Sequence, residues 1–379
     1  MSRGGHGGVP FRPMNVPFLN LPAQYAALKA ELLPVVERAL ASGHYILGPN
    51  VKALEEEIAT FTGTRFGIGV NSGSDALTLA LRALDLGPGD EVITTPFTYI
   101  APAESVHQVG ATLVFADVHP RTFNLDPADV ARKITPRTRA IIPVHLFGQA
   151  APLRELLALA EPRGIEIVED CAQAIGATYH GRPVGGLGRL GCFSFYPTKN
   201  LGADGDGGMV VTNDEALAKK LRVLRVHGIE RRYHHDRHGY NSRLDELQAA
   251  ILRVKLPHLE SWNARRAEIA RRYSEAFKNL PLEVPVAAEG NVHVFHVYAV
   301  LTDRRDALQP HLADHGVPTI IYYPLPLHLQ KVYAPMGWKP GDFPVAEALA
   351  DRILPLPLYP ELTDEQVDSV IETVNSFKF

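Results

Sequence analysis

Between residues 66 and 214, short apolar runs alternate with stretches whose apolar residues recur at helical spacing. There are seven such runs: FGIGV (66–70), EVITTPF (91–97), ATLVFADV (111–118), RAIIPVHLF (139–147), IEIVEDCA (165–172), GCFSFY (191–196) and GGMVVTND (207–214). Strands that are apolar along their whole length are typical of a parallel sheet with helices on both faces. The pattern therefore predicts an α/β fold whose mostly parallel sheet has seven strands.

Two helices are predicted before this region. Within residues 21–42, four apolar side chains recur at helical spacing: Leu28, Leu32, Val36 and Leu40. Pro34 is expected to kink this helix or to mark a restart. The stretch VKALEEEIATFTG predicts a second helix that ends at Gly63, because glycine commonly follows the last helical turn.

After residue 214 the pattern changes and indicates a second, smaller domain. A long helical stretch is interrupted at Pro257, VFHVYAVLT alternates like a strand, and DEQVDSVIETVNSF is helical. We predict a flexible leader over residues 1–20, a large α/β domain over 21–254 and a smaller C-terminal α+β domain over 255–379.

Composition and charge exclude several classes of protein. The 379 residues are 46% hydrophobic and 21% charged, which is ordinary for a globular chain, and the net charge of −4 does not favour a nucleic-acid partner. We expect neither a membrane span nor a secretory signal, and hence a cytoplasmic protein. Cys171 and Cys192 lie in apolar runs and are expected to be buried free thiols.

Two motifs are expected to be misleading. Residues 186–191 match G-x-G-x-x-G, but the strand-like CFSFY follows them where a dinucleotide site needs a helix, so we expect an ordinary glycine-rich loop. The histidines at 234, 235 and 238 fit no standard zinc spacing, and we expect a solvated loop and no metal site.

Three other segments carry groups that act together in one kind of chemistry. NSGSD (71–75) is a glycine-bearing turn before a helix, which suits a phosphate. Asp170 ends an apolar strand, where a protonated ring nitrogen, a structural arginine or a helix cap could be its partner. Lys199 follows a strand and could form a Schiff base or be a plain surface cation. In combination they indicate pyridoxal phosphate.

At these positions the chain resembles the DegT/StrS-type (DegT/DnrJ) sugar aminotransferases, which are fold-type-I enzymes dependent on pyridoxal phosphate. The resemblance covers nearly the whole chain and rests on NSGSDAL, EDCAQAIGA, SFYPTKNLGADGDGG and GYNSRLDELQAAIL. It implies that Lys199 forms a covalent aldimine with the cofactor and then moves protons as catalytic base and acid. It also implies that Asp170 pairs with the pyridine nitrogen.

The same resemblance implies the other cofactor contacts. The phosphate would be held by Gly73, Ser74 and Ser194, the ring would stack on Tyr99, and Gln173 would lie beside the ring and its 3-hydroxyl. Asn241 would reach the phosphate from the neighbouring subunit, which implies a homodimer with shared active sites.

The resemblance further implies a reaction in amino-sugar and polysaccharide biosynthesis. An amino group would pass from L-glutamate to a nucleotide-diphosphate-linked keto-sugar, and YPTKNLGADGDGG is more similar to members that aminate ring carbon 3 than to those that aminate carbon 4. The candidate sugar contacts are Tyr45, Ile46, Tyr233, Arg243, Tyr322 and Tyr323. Alternatively, Tyr45 fills a turn, and Arg243 pairs with Asp245 or Glu246.

Other functions stay open at this point. The chain could aminate a non-nucleotide cyclic ketone such as a keto-inositol, or be a regulatory or sensory protein of the same fold. A desulfurase or an aldolase of this fold is a further possibility. A desulfurase would need a mobile reactive cysteine, whereas both cysteines here lie in predicted strands or at their ends.

Overall fold

A computed structural model describes residues 14–231, 233–235 and 237–379. The strands within these ranges are β1 (Phe66–Val70), β2 (Glu91–Thr94), β3 (Thr112–Phe115), β4 (Thr138–Ile141), β5 (Glu166–Asp170), β6 (Thr178–Tyr179), β7 (Arg182–Pro183), β8 (Leu190–Ser194), β9 (Gly208–Thr212), β10 (Ile229–Arg231), β11 (His234–His235), β12 (Asn291–Val292), β13 (Tyr298–Leu301) and β14 (Ile353–Leu356).

The α-helices are α1 (Leu21–Ser42), α2 (Pro49–Thr62), α3 (Gly73–Ala83), α4 (Ala101–Val109), α5 (Pro127–Lys133), α6 (Leu153–Ala160), α7 (Glu215–Leu224), α8 (Glu246–Lys255), α9 (Leu259–Phe277), α10 (Arg305–Asp314), α11 (Pro344–Arg352) and α12 (Asp364–Ser376). Short 3₁₀ turns lie at Leu146–Gly148, Glu161–Arg163, Leu256–His258, Leu327–Leu329 and Lys331–Met336. No described helix is both long and apolar enough to cross a membrane.

Seven strands form the main sheet, in the order β1-β9-β8-β5-β4-β2-β3. All neighbouring pairs are parallel except those made by β9, which runs antiparallel to β1 and β8. The predicted strand number and mostly parallel arrangement are therefore confirmed. Because β1, β5 and β8 run in one direction, their carboxyl ends meet at one edge of the sheet.

Both faces of this sheet are buried, which explains the unbroken apolar runs. Val92 faces a core formed with α3, α4 and α7, while the next residue, Ile93, faces a core formed with α5 and α6. Successive strand residues point to opposite faces, so each must be apolar when helices cover both. The two cysteines are buried and unpaired, as predicted.

A separate core lies in the C-terminal part of the chain. It joins α9, α10 and α12 to the antiparallel pair of β13 and β14, with Tyr273 and Tyr298 fully buried in it. Pro257 lies in the 3₁₀ turn between α8 and α9, where the interruption was predicted. The predicted domain limits stay predictions, and residues 1–13 of the predicted leader lie outside the described part of the chain.

The first helix differs from its prediction in register. It runs through Pro34 as one element and buries Leu28, Leu32 and Ala39, whereas Leu40 is 53% exposed. Each four-residue step turns about 40° too far around an α-helix, so after three steps the side chain has moved roughly 120° from Leu28. Ala39 lies only about 20° from Leu28 and takes the buried place.

Candidate functional site

A cavity of about 420 Å³ lies at the carboxyl edge of the sheet. Nine of the predicted site residues line it: Gly73, Ser74, Tyr99, Asp170, Gln173, Ser194, Lys199, Tyr322 and Tyr323. Segments that follow β1, β5 and β8 converge here because these strands end at the same edge, and Tyr322 and Tyr323 join them from the segment after α10. The cavity is referred to below as the lysine pocket.

One wall of the lysine pocket is the turn between β1 and α3. Ser72 caps α3, its Oγ accepting a hydrogen bond of 3.1 Å from the Asp75 N–H. The N–H groups of Gly73 and Ser74 then have no partner among the described residues and lie at the positive end of the helix. A Cβ on Gly73 would lie 2.6 Å from the Ser194 Cβ, so only glycine lets this turn approach β8 so closely.

Lys199 lies in the tight turn that follows β8. Its N–H donates to the Tyr196 carbonyl at 2.8 Å, and the side chain reaches the pocket. Burial lowers the pKa of the Lys199 amine to about 8, against the opposing effect of the Asp170 carboxylate. About a tenth of this amine is therefore neutral at pH 7, far more than for an ordinary lysine, and the neutral amine is the form that attacks a carbonyl.

Asp170 ends β5 in the same pocket and is 4% exposed. Its Oδ1 accepts a hydrogen bond of 3.0 Å from the Ala172 N–H. Burial raises the pKa of Asp170, while the Ala172 N–H and then Lys199 and His145 act in the opposite direction. No arginine of the described chain forms an ion pair with it, so the carboxylate retains capacity for a cationic ligand group.

Gln173 is held at both ends of its amide. Its Oε1 accepts from the Phe147 N–H at 2.7 Å, and its Nε2 donates to the Tyr323 hydroxyl at 3.1 Å. Burial raises the pKa of the Tyr323 hydroxyl, with Gln173 opposing, so this group stays protonated and can donate to a ligand.

Glu169, one residue before Asp170, was not singled out by the sequence analysis. It is fully buried and accepts hydrogen bonds from the N–H groups of residues 185, 187 and 188, and it also contacts His145 Nε2 at 3.0 Å. Since the Ala151 N–H donates to His145 Nδ1, the proton lies on Nε2 and His145 donates to Glu169. The glycine-rich loop of the G-x-G-x-x-G match therefore binds a carboxylate of its own chain.

His145, Glu169 and Cys171 place possible ligand atoms within 4.8 Å of one another. The hydrogen bonds just described use both Glu169 oxygens and both His145 nitrogens, so this cluster is a structural anchor for the end of β5. The histidines at 234 and 235 lie in the exposed hairpin of β10 and β11, and His238 is exposed as well.

His296 lines the lysine pocket and was missed by the sequence analysis. Asn263 donates to the Ile175 carbonyl at 3.1 Å and accepts from Asn200 Nδ2 at 2.8 Å, so Asn200 Oδ1 is an acceptor. His296 Nδ1, at 3.1 Å from this oxygen, must carry a proton, which leaves Nε2 as the acceptor. Burial, together with Lys199 and Arg266, lowers the pKa of His296 well below its usual value, so the ring is neutral.

Five predicted contacts lie away from the lysine pocket of this chain: Tyr45, Ile46, Tyr233, Asn241 and Arg243. Tyr45 is 54% exposed, Ile46 is 49% exposed and Tyr233 is 79% exposed, and Asn241 is also exposed. Arg243 forms no ion pair with Asp245 or Glu246 in the described chain. Glu246 instead accepts hydrogen bonds from Asn50 and Val51.

The pocket's donor set fits pyridoxal phosphate. Free N–H groups at a helix N-terminus suit a phosphate, a buried amine suits an aldehyde, and a buried carboxylate without a cationic side chain bonded to it suits a protonated ring nitrogen. Because position 73 is a glycine, the turn that carries these N–H groups can lie directly against Ser194.

Comparisons with known proteins agree with this geometry. Residues 26–375 match the DegT/DnrJ/EryC1/StrS aminotransferase family. The chain is 50% identical over 368 residues to the pleiotropic regulatory protein of Geobacillus stearothermophilus. This match covers 96% of the present chain and 99% of the relative. It is 49% identical over 359 residues to the UDP-N-acetyl-3-dehydro-alpha-D-glucosamine 3-aminotransferase of Acidithiobacillus ferrooxidans, covering 95% and 97%.

Solved structures agree with these sequence comparisons. The crystal structure of S. venezuelae DesV in complex with a ketimine intermediate has a TM-score of 0.93 at 48% identity, covering 95% of this chain and 97% of that chain. Structures of similar chains include forms with pyridoxamine phosphate and with pyridoxal phosphate.

Proposed function

Since this chain belongs to the DegT/DnrJ/EryC1/StrS aminotransferase family, we propose that it transfers an amino group from L-glutamate to carbon 3 of a nucleotide-diphosphate-linked keto-sugar. It is an aminotransferase dependent on pyridoxal phosphate, like its relatives. Three points of the proposal go beyond membership of the family: the amino-group donor, the sugar carbon that is aminated, and the covalent attachment of the cofactor to Lys199 Nζ.

The observation that carries the proposal is Lys199, a part-buried lysine whose pKa is lowered to about 8, in one pocket with Asp170. When bound, the cofactor supplies an electron sink for the carbon that loses its proton. Asp170 holds a proton at the ring nitrogen, and Lys199 carries a proton between the substrate carbon and the cofactor as base and then acid. Asp170 ends β5 and Lys199 lies in the turn after the neighbouring β8, so the sheet brings the two side chains to one pocket.

The remaining pocket residues bind and orient the cofactor in this proposal. Gly73, Ser74 and Ser194 hold the phosphate, Tyr99 packs against the ring, and Gln173 lies beside the 3-hydroxyl. Gln173 is suited to that place because hydrogen bonds at both ends of its amide prevent it from rotating.

We also propose a homodimer with shared active sites. Asn241 would contact the phosphate bound to the neighbouring subunit, and the exposed Tyr45, Ile46 and Tyr233 would contact the sugar nucleotide with Arg243. Exposed aromatic side chains such as Tyr45 and Tyr233 are typical of surfaces that are covered on assembly. Tyr322 and Tyr323 would complete the sugar site from within the same chain.

A cytoplasmic location belongs to the same proposal. Its support is the pair of buried free thiols, which persist in a reducing compartment.

Amination at carbon 3 of the sugar is supported by the name of the A. ferrooxidans relative, a 3-aminotransferase.

The test is an absorbance spectrum of the purified protein before and after excess L-glutamate, followed by a screen of keto-sugar nucleotides. We expect a visible band that moves to shorter wavelength with glutamate and returns on addition of a 3-keto-sugar nucleotide. No visible band after loading with cofactor would contradict the Lys199 assignment. Return of the band with a keto-inositol and with no sugar nucleotide would replace the proposed acceptor.

The regulatory alternative has its own measurement. The G. stearothermophilus relative carries a regulatory name, so a DNA-shift assay at physiological salt is a useful companion experiment. A specific shift by a protein that shows no glutamate-dependent spectral change would favour that alternative. The net charge of −4 makes such a shift unexpected.

A further inference from the structure

A second cavity, of about 330 Å³, adjoins the lysine pocket and contains a buried arginine. The two cavities share the side chains of Thr198, His296 and Tyr322. The remaining lining residues of the second cavity are Phe18, Leu19, Arg266, Val297, Ile320, Leu356 and Leu358. Outside the shared wall, Arg266 is thus the only polar side chain in an otherwise apolar lining.

Arg266 is a buried cation with unused donors. It lies on α9, is 4% exposed, and uses Nη1 to donate to the carbonyl oxygens of Phe295 and Leu358, at 3.3 and 3.0 Å. Its Nε is buried and has no hydrogen-bond partner. In the described ranges, no carboxylate forms an ion pair with Arg266, and its Nη2 has no hydrogen-bond acceptor.

The charge of Arg266 persists at neutral pH. Burial lowers its pKa to about 10, with Glu361 opposing, and a group with that pKa is still protonated at pH 7. A buried cation is costly to maintain unless an anion pairs with it. An arginine Nη–H group forms a short, charge-assisted hydrogen bond to a carboxylate oxygen.

We propose that this second cavity binds a carboxylate of the amino-acid donor, with Arg266 Nη2 as the hydrogen-bond donor. The inference rests on the proposed function, because it places the donor's amine at Lys199 and its carboxylate beyond the shared wall. An amino acid carries both groups on one short skeleton, as two adjoining cavities require. His296 is neutral and offers an acceptor, so it leaves the carboxylate to Arg266.

The test is equilibrium binding of glutarate to the holoenzyme by calorimetry. Glutarate has the carboxylates of glutamate but no amine, so it cannot react. We expect Arg266→Gln to weaken glutarate binding at least tenfold. The matched control is Arg265→Gln, which removes the same charge from a side chain that pairs with Glu268 and Asp364 on the surface and should change binding less than twofold. Equal binding by wild type and Arg266→Gln would overturn the proposal.

A second variant covers the case in which Arg266→Gln does not fold. Ile320 lines the cavity and is 47% exposed, so Ile320→Glu offers Arg266 an internal carboxylate while leaving its two carbonyl contacts in place. We expect this variant to weaken glutarate binding at least tenfold and to raise the glutamate concentration for half-maximal spectral change. Unchanged glutarate binding in Ile320→Glu would overturn the proposal.

Failure of the carboxylate site is distinguishable from failure of the proposed function. If the wild-type spectrum does not respond to saturating glutamate, the proposed donor is wrong, and the carboxylate site fails with it. If the wild type responds and Arg266→Gln needs no more glutamate than the wild type does, the proposed function stands and the carboxylate site alone is wrong.

Discussion

Gln173 and Tyr323, 150 residues apart in the chain, are joined by a hydrogen bond of 3.1 Å from the Gln173 Nε2 to the Tyr323 hydroxyl. The bond links the carboxyl edge of the main sheet to the segment that follows α10. It fixes the orientation of the Gln173 amide and directs the Tyr323 proton elsewhere in the pocket.

Tyr323→Phe is expected to slow the reaction without unfolding the protein. The substitution removes the acceptor that fixes the orientation of the Gln173 amide, and a positioning interaction of roughly 1–3 kcal/mol corresponds to about a 5- to 150-fold change in rate. The rate of the spectral change with glutamate measures it. Tyr333→Phe, which alters a buried tyrosine outside the pocket, should leave this rate near the wild-type value, and an equal loss in both variants would contradict a specific role for Tyr323.

Loading of the cofactor-free protein should depend on pH through Lys199. Its pKa is lowered to about 8, so the neutral amine increases as pH rises through that value, and the loading rate should rise with a midpoint there. The Asp170 carboxylate raises the pKa of Lys199 and so opposes the effect of burial. Asp170→Asn should therefore move the midpoint of the loading rate to a lower pH. Stopped-flow absorbance at a series of pH values measures both midpoints, and a wild-type midpoint near 10.5, the ordinary lysine value, would disagree with the buried-amine geometry.

Lys199→Ala should remove the visible absorbance band of the cofactor. The variant lacks the amine that forms the covalent link, so the cofactor should leave on dialysis. The measurement is the spectrum before and after dialysis, with Lys255→Ala as the comparison, because Lys255 is a buried lysine bonded to the Gly202 carbonyl and Asp204. A band that survives dialysis in Lys199→Ala would refute the assignment.

Asp170→Asn should retain the fold and lose most of the activity. An amide is nearly isosteric with the carboxylate but does not hold a proton on a ring nitrogen, so we expect at least a hundredfold loss in turnover. Turnover and the thermal unfolding temperature should be measured on the same preparation. Near-wild-type turnover would refute the proposed role.

Glu169→Gln should instead lower stability. The Glu169 carboxylate accepts from three backbone N–H groups and from His145, and an amide places a donor against some of them, at a cost of roughly 3 kcal/mol or more. The midpoint of chemical unfolding of the cofactor-free protein measures this. Glu166→Gln on the same strand is the control, since its carboxylate is 41% exposed and 3.9 Å from Arg189. Equal midpoints for the two variants would contradict the anchoring role.

The sequence was sufficient to predict the sheet but not every helix. Strands covered on both faces are apolar throughout and therefore easy to recognise, whereas α4 buries small side chains such as Ala103 and Ser105 and gives little hydrophobic signal. In α1, the four-residue spacing suggested Leu40 as a core residue, although the rotation of the helix brings Ala39 to that face instead.

The candidate site shows a similar division. Lys199 and Asp170 could be recognised because each follows an apolar strand, where side chains reach a ligand. His296 could not be recognised, because its place depends on a hydrogen bond to Asn200, 96 residues away in the chain. Arg266 lies within a helix rich in arginine, and only the packing of α9 distinguishes it from its exposed neighbours.

The hydrogen bonds that run from the Ile175 carbonyl through Asn263 and Asn200 to His296 all point the same way, because a carbonyl can only accept. Reversing them would require two amide rotations and a donor that the Ile175 carbonyl lacks. His296, in the wall between the two cavities, therefore presents only a hydrogen-bond acceptor, at Nε2. A hydroxyl or an ammonium group can settle against His296, a carbonyl or carboxylate oxygen is repelled, and acidification within the physiological range leaves this preference intact.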